Sequence, residues 1–430
     1  MALTGRTAAL ALAGTLVVLA LRSVTGLVLV EGLLLAGVAA DLLLAVPVRA
    51  VRVSRRGDTR VRLGETARLT LTVSHGSARP LRAALRDAWP PSAGVSPRRA
   101  RLAVPPGGAA ALEISLAPTR RGDASSVCVA VRSFGPLGLA ARQGRLAVPW
   151  TVRALPPFRS RRHLPGKLSR LRELDGQHRS LLRGQGSEFD SLREYVIGDD
   201  VRSIDWRGTA RHSDVLVRTW RPERDRRILV VLDTGRTMAG RVGDAPRLDA
   251  AMDAVQLLTA LAARAGDRLD LIAIDRRVRA RVSGVGRSAV LAAVTDAMAP
   301  LEAELIEPDG TAMASAILAH ARQRSLVVLL TDLNPAAIGE NLLPHLPVLA
   351  ARHQLLLGAV ADPRVDALAA GRGSAAAVYG AAAAERARAG RARISAELQR
   401  RGVVVVDAPP DRLPPALADA YLALKAAGRL

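Results

Sequence analysis

The stretch GQGSEFDSLREYVIGDDVRSIDWRGTAR at residues 184–211, followed at 228–233 by ILVVLD, decides how the rest of the chain is read. Aromatics make up only 2% of the sequence, yet Phe189, Tyr195, Trp206 and the nearby Trp220 gather here. They are interleaved with Glu188, Arg193, Glu194, Asp199, Asp200, Arg202, Asp205 and Arg211. A plain core segment does not mix rings and charges so densely. Ile228 to Leu232 reads as a buried strand, and Asp233, Gly235 and Thr237 follow in a short loop before a helix. A carboxylate and a hydroxyl at the carboxyl end of such a strand stand where open α/β sheets hold ligands.

Downstream of that strand the chain alternates strand and helix. Leu269 to Ile274, Leu326 to Leu330, Leu355 to Val360 and Val403 to Val406 read as further strands. Leu248 to Ala263, Ala289 to Met298, Ala336 to Ala350 and Ala382 to Leu398 read as helical, with Pro344 and Pro347 breaking or kinking the third. Nearly continuous apolar strands separated by helices predict a mostly parallel, doubly wound sheet covered on both faces, over residues 226–430.

Upstream, the periodicity falls to two. In Ala67 to Ser74 every odd position is apolar, Leu112, Ile114 and Leu116 alternate with polar neighbours, and Val127, Val129 and Val131 do the same. With turn signals at Pro90-Pro91, Pro105 to Gly108 and Arg121-Gly122, residues 49–153 predict an antiparallel, immunoglobulin-like β-sandwich. No His, Cys or carboxylate cluster marks it as catalytic, so it reads as a spacer or docking module. Residues 154–225 then form an arginine-rich linker and the opening stretch; His163 and His178 within it match no metal spacing, and a solvated crossing is expected.

Residues 1–48 carry two apolar runs, Thr7 to Leu21 and Ser23 to Val48. A bilayer core takes about 20 apolar residues as helix, which the second run supplies and the first only approaches, with Arg6 and Arg22 snorkelling at its ends. A cleaved signal peptide is the competing reading. Arg49, Arg52, Arg55, Arg56 and Arg60 crowd the exit of the second run and favour a two-helix hairpin with both ends in the cytoplasm. Glu31 and Asp41 interrupt the second run at a cost of a few kcal/mol each if ionised at depth. Asp41 is expected to reach the cytoplasmic interface and Glu31 to face the other helix; alternatively both face a membrane partner.

The formal net charge of +23 invites a nucleic-acid reading. Only Lys167 and Lys425 are lysines, however, and arginine beside abundant alanine points to a coding bias instead, so nucleic acid is not expected as a partner. A single Cys128 excludes an internal disulfide framework and fits a reducing compartment.

The run from Gly186 to Arg211 resembles the signature of domain-of-unknown-function family 58, membrane-anchored von Willebrand factor A-like proteins associated with MoxR-type AAA+ ATPases. The resemblance implies a von Willebrand factor A-like domain over 226–430 and a MoxR-type ATPase as partner, and it supplies no reaction. It also implies a metal-ion-dependent adhesion site, with Asp233, Gly235 and Thr237 in the loop, Thr311 as the distant threonine and Asp332 as the second aspartate. Mg²⁺ suits such hard oxygen ligands. Gly235 lacks the hydroxyl that the motif wants, so the site is degenerate. The bland alternative has Asp233 and Asp332 capping the helices that follow them.

Asp199, Asp200 and Asp205, with Glu188 and Glu194, have a second reading as a metal cluster of a phosphodiesterase. Arg193, Arg202, Arg207 and Arg211 lie among them, and with Trp206 they suggest a partly buried ion-pair network or a docking surface instead. No Ser-His-Asp set, phosphate loop or Cys-His pair occurs, and Gly184-Gln185-Gly186 lacks the third glycine of a dinucleotide loop. The expectation is a non-enzymatic, membrane-anchored adaptor with its main domains in the cytoplasm.

Overall fold

The computed structural model describes residues 1–181, 188–211, 214–221 and 226–430. Gly184, Gln185 and Gly186 lie outside them, as do the side chains of Glu188, Phe189, His178 and Trp220. The chain forms two compact units, Met1–Pro157 and Phe158–Leu430.

In the first unit the apolar runs form helices Gly5–Leu21 and Val24–Leu44. The stretch Val24–Ala50 is long and apolar enough to cross a membrane; Gly5–Ala20 is shorter. Glu31 is exposed. Asp41 is fully buried, and its carboxylate accepts from the backbone N–H groups of Leu137 at 2.8 Å, Leu139, and Ala140 at 3.0 Å. The loop presses so close that a Cβ at Gly135 would lie 2.3 Å from Asp41 Oδ1, so only glycine fits there. At the start of the first helix, Thr4 Oγ1 donates to Gly138 O at 2.7 Å, Thr7 Oγ1 donates to Leu139 O, and Ala2–Leu3 pairs with Ala140 and Ala141. Both helix ends therefore meet one loop of the following domain.

That domain is a β-sandwich. One sheet joins Val51–Gly57, Ala67–His75, Ala109–Leu116 and Val95–Ser96; the other is built mainly from Leu81–Asp87, Ala100–Val104, Gly122–Phe134 and Ala140–Leu155. Alternation buries Leu69, Leu71 and Val73 against Leu81, Leu85, Ile114 and Val131, as the pattern predicts. Val127 departs from it and is 69% exposed. Cys128 pairs with Ala147 but Ser126 pairs with Trp150, so one strand carries an extra residue there. Such a bulge flips the facing of the residues beyond it, which turns Ser126 inward and Val127 out. Ser126 joins a buried group in which Arg55 pairs with Asp87 and Trp89 Nε1 donates to Asp87 Oδ2 at 2.7 Å. Arg55 is thus a core residue of the sandwich, unlike the exposed arginines around it.

The second unit begins with the segment expected as a solvated linker, and here the structure corrects the reading. Leu164–Leu181 is a helix that packs Leu164, Leu168, Leu171 and Leu174 against the domain core. Ser160 is held by Asp253, its Oγ at 2.9 Å from Oδ1, and Lys167 pairs with Asp419 at 2.6 Å.

The sheet contains β1 (Arg227–Asp233), β2 (Arg268–Ile274), β3 (Val278–Val282), β4 (Leu326–Leu330), β5 (Gln354–Val360) and β6 (Val404–Ala408). Their order is 3-2-1-4-5-6, parallel except for β3. Because strand side chains alternate, Ile228, Val230 and Leu232 enter one core while Leu229 and Val231 enter the other. Helices Arg247–Ala265 and Leu413–Ala426 cover the first face; Gly310–His320 and Leu346–Arg352 cover the second. The helical region Ala336 to Ala350, expected to break or kink at Pro344 and Pro347, is divided into Pro335–Ala337, Ile338–Leu342 and Leu346–Arg352, with a break before Leu346 where those prolines stand.

Candidate functional site

In this strand order the chain reverses direction between β1 and β4, and the crevice outside their carboxyl ends is the natural binding position of a doubly wound sheet. Asp233 ends β1 there, 1% exposed. Its Oδ1 accepts from Gly235 N at 2.7 Å, and its Oδ2 accepts from Thr331 Oγ1 at 2.7 Å and Thr237 Oγ1 at 3.3 Å. Burial pushes the Asp233 pKa up, against the pull of those hydrogen bonds. A cavity of about 20 Å³ adjoins it, lined by Asp233, Thr331, Pro308, Gly310, Met313 and Asn341 among others. That is room for about one water.

Asp275 immediately follows Ile274, the last residue of β2 and the one in register with Asp233. It is fully buried, accepts from Thr234 Oγ1 at 3.0 Å and from Arg276 N at 2.6 Å, and lies 3.7 Å from Arg279 Nη1. The sequence reading missed it, although an aspartate closing an apolar strand was the signal already used for Asp233. Thr331, the donor to Asp233, was also missed beside Asp332.

Asp332 is not a helix cap. Asn334 caps the next helix by accepting from Ala336 N and Ala337 N, while Asp332 Oδ1 takes Arg391 Nη1 at 2.6 Å and lies 3.8 Å from Arg247 Nε. Thr311 Oγ1 sits 3.3 Å from His345 Nε2, on the exposed start of helix Gly310–His320, where Asp309 caps. Of the expected metal set, then, Thr237 donates to Asp233, while Thr311 meets His345 and Asp332 meets Arg391. Among the described residues no three His, Cys, Asp or Glu side chains group to hold a metal ion. Both carboxylates have partners within the chain: Asp233 accepts from two hydroxyls and an amide, and Asp332 pairs with a guanidinium. Gly235 has extended backbone, but an added Cβ would meet Pro308 Cδ at 2.9 Å and Ile306 O at 3.0 Å. A serine there crowds the loop, so Gly235→Ser does not simply restore a ligand.

The signature stretch folds as a hairpin of Glu188–Glu194 with Leu216–Arg221, and the connecting residues form short turns. Arg193 grips Asp199 through two bonds of 2.7 and 2.6 Å, and Arg218 Nε donates to Asp205 Oδ2 at 2.9 Å. These partners hold the Asp199 and Asp205 carboxyls below the usual range. Asp205 also caps Trp206–Thr209, and Asp200 caps Val201–Ser203. The carboxylates thus serve two local pairs and two caps, and do not converge as a nuclease cluster would. The expected burial is likewise corrected. Arg193, Glu194, Asp200, Arg202, Arg207 and Arg211 are exposed, and Trp206 at 67%, Val201 at 63% and Ile197 at 96% face outward with them.

A helix long and apolar enough to cross a membrane, a β-sandwich and a doubly wound α/β domain follow one another along the chain. The sequence profile of the family described as "Protein of unknown function DUF58" matches residues 191–406, half of the chain, and the chain belongs to that family. Uncharacterised proteins of Mycobacterium tuberculosis and Mycobacterium bovis are each 31% identical over 196 residues, 44% of this chain and 60% of their own length. The chain thus spans less than two thirds of these relatives. Among solved structures, the PapD-like domain of human CEP192 overlaps 24% of this chain and 84% of its own, at 15% identity and a TM-score of 0.19. The CARDB domain of the PF1109 protein from Pyrococcus furiosus overlaps 26% of this chain and 90% of its own, at 11% identity and a TM-score of 0.20. Likenesses at that level carry no functional argument.

Proposed function

We propose that this protein is a membrane-anchored scaffold whose α/β domain docks a protein partner and performs no chemistry of its own. The observation that carries the reading is a contrast within the second unit. The crevice carboxylates Asp233, Asp275 and Asp332 are each consumed by internal donors, whereas Ile197, Val201 and Trp206 are left exposed beside one another in sequence. Exposed large apolar side chains among arginines are the usual composition of an interaction surface.

The 3-2-1-4-5-6 sheet with its antiparallel edge strand supports the von Willebrand factor A-like reading, and with it a MoxR-type AAA+ ATPase as partner. The meeting of Thr4, Thr7 and Asp41 with one sandwich loop supports a hairpin of two spans, since both outer helix ends then lie on the same side. The arginines after Val48 favour the cytoplasm for that side.

The test is co-purification of the full chain from its native membranes, with identification of what is bound. An AAA+ ATPase that is retained by the native chain and lost on combined Ile197→Asp and Trp206→Ser supports the reading. Its absence, or divalent-dependent cleavage of nucleic acid by the purified chain, refutes it.

A further inference from the structure

We propose that the Arg391 guanidinium is the resident cation of a cation-binding site at the crevice edge, so that the chain supplies from its own helix the charge that a divalent ion would bring. Arg391 projects from helix Ala375–Arg400 across the ends of three adjacent strands. Its Nη1 donates to Asp332 Oδ1 at 2.6 Å, just past β4, and its Nη2 donates to Val360 O at 3.4 Å, at the end of β5. On β6, Asp407 takes Nη2 at 2.7 Å and Nε at 3.1 Å.

Two carboxylates and a backbone carbonyl therefore converge on one positive group. That is a hard-oxygen set of the kind Mg²⁺ and Ca²⁺ select, filled by a planar fork that never deprotonates. Burial opposes the charge on Arg391, but Asp407 and Asp332 outweigh it and raise its pKa. The side chains of Arg391 and Asp332 are 19% and 8% exposed, so neither is a loosely held surface partner. Arg247, 3.8 Å from Asp332, adds a second positive charge from the helix after β1. A free cation would have to displace a tethered one from this position, and two guanidinium groups would repel it.

The inference does not depend on what the protein docks, because the readout contains no partner. The experiment is thermal unfolding of the full chain in detergent with Mg²⁺, Mn²⁺, Ca²⁺ or a chelator, together with Mn²⁺ titration followed by electron paramagnetic resonance. The native chain should show the same Tm in every condition. Arg391→Ala should unfold at a lower temperature, regain much of the loss in Ca²⁺ or Mn²⁺, and bind Mn²⁺ at the vacated oxygens. Divalent binding by the native chain that Asp332→Asn abolishes overturns the proposal. So does an Arg391→Ala chain that folds and ignores all three ions. Should that variant not fold, Arg391→Lys decides: a retained charge predicts a folded chain without divalent response, and a divalent-dependent Tm in that variant refutes the assignment.

Discussion

Replacing Thr331 by valine keeps the shape of the side chain and deletes the hydroxyl that donates to Asp233 at 2.7 Å. The cost depends on the state of the carboxylate. A hydrogen bond to a neutral acid contributes about 0.5–1.5 kcal/mol, and one to an ionised acid about 1.5–3 kcal/mol. Burial raises the Asp233 pKa above its ordinary 3.8, so the group passes from neutral to charged over a range displaced upward from that of an exposed aspartate. A raised acid pKa favours the folded chain fully below the unfolded pKa, and that contribution is lost as pH rises through the folded value. The penalty of Thr331→Val should therefore grow with pH, from the lower range where the carboxyl is neutral to the upper where it is charged. For a domain of this size class each kcal/mol moves Tm by about 2–4 °C, which scanning calorimetry of the full chain in detergent resolves. Asp233→Asn is the companion variant: it should lose least against the native chain in alkali, and Thr331→Val on that background should cost the same at every pH. A Thr331→Val penalty below about 0.5 kcal/mol throughout, under the smallest hydrogen-bond contribution, would refute the claim that the crevice carboxylate is satisfied from within.

Two further outcomes follow from buried polar groups. His353 is buried, neither ring nitrogen has a hydrogen-bond partner, and burial together with Arg352 lowers its pKa from 6.5. The unfolded chain then binds this proton more readily, so stability should fall as pH drops below about 6.5; His353→Phe should flatten that limb in urea titrations, and an unchanged limb would assign it to other groups. In the first unit, Asp41→Ala strips three backbone N–H groups of their acceptor, each costing about 1–3 kcal/mol if left unpaired. Hydrogen exchange at residues 137–140 should accelerate strongly while the sandwich strands stay protected, and unaltered exchange would mean that the carboxylate does not hold the loop.

Much of the architecture is set by local pattern. Alternation fixed which faces of Ala67–His75 and Ala109–Leu116 turn inward, and the apolar runs ending in Asp233 and Leu330 marked β1 and β4, because burial on one or both faces acts on each strand separately. Leu164, Leu168 and Leu171 stand at helical spacing, but with Pro165, Gly166, Lys167 and Arg170 among them the segment was read as a solvated linker. Val127 could not be read, since its facing depends on an extra residue in the partner strand near Val148. The crevice divides the same way. Asp233 and Thr237 were found because strand end, loop and hydroxyl lie within five residues; Asp332 was found as a residue, without its partner Arg391. What neutralises it stands 59 positions away in the chain, on a helix whose sequence gives no sign of which strands it crosses. Sequence determined that Asp233 and Asp332 reach the carboxyl ends of their strands, because strand periodicity is local. Only the tertiary structure decided that guanidinium and hydroxyl groups would meet them there, because the helix that carries Arg391 is positioned by packing over the whole domain.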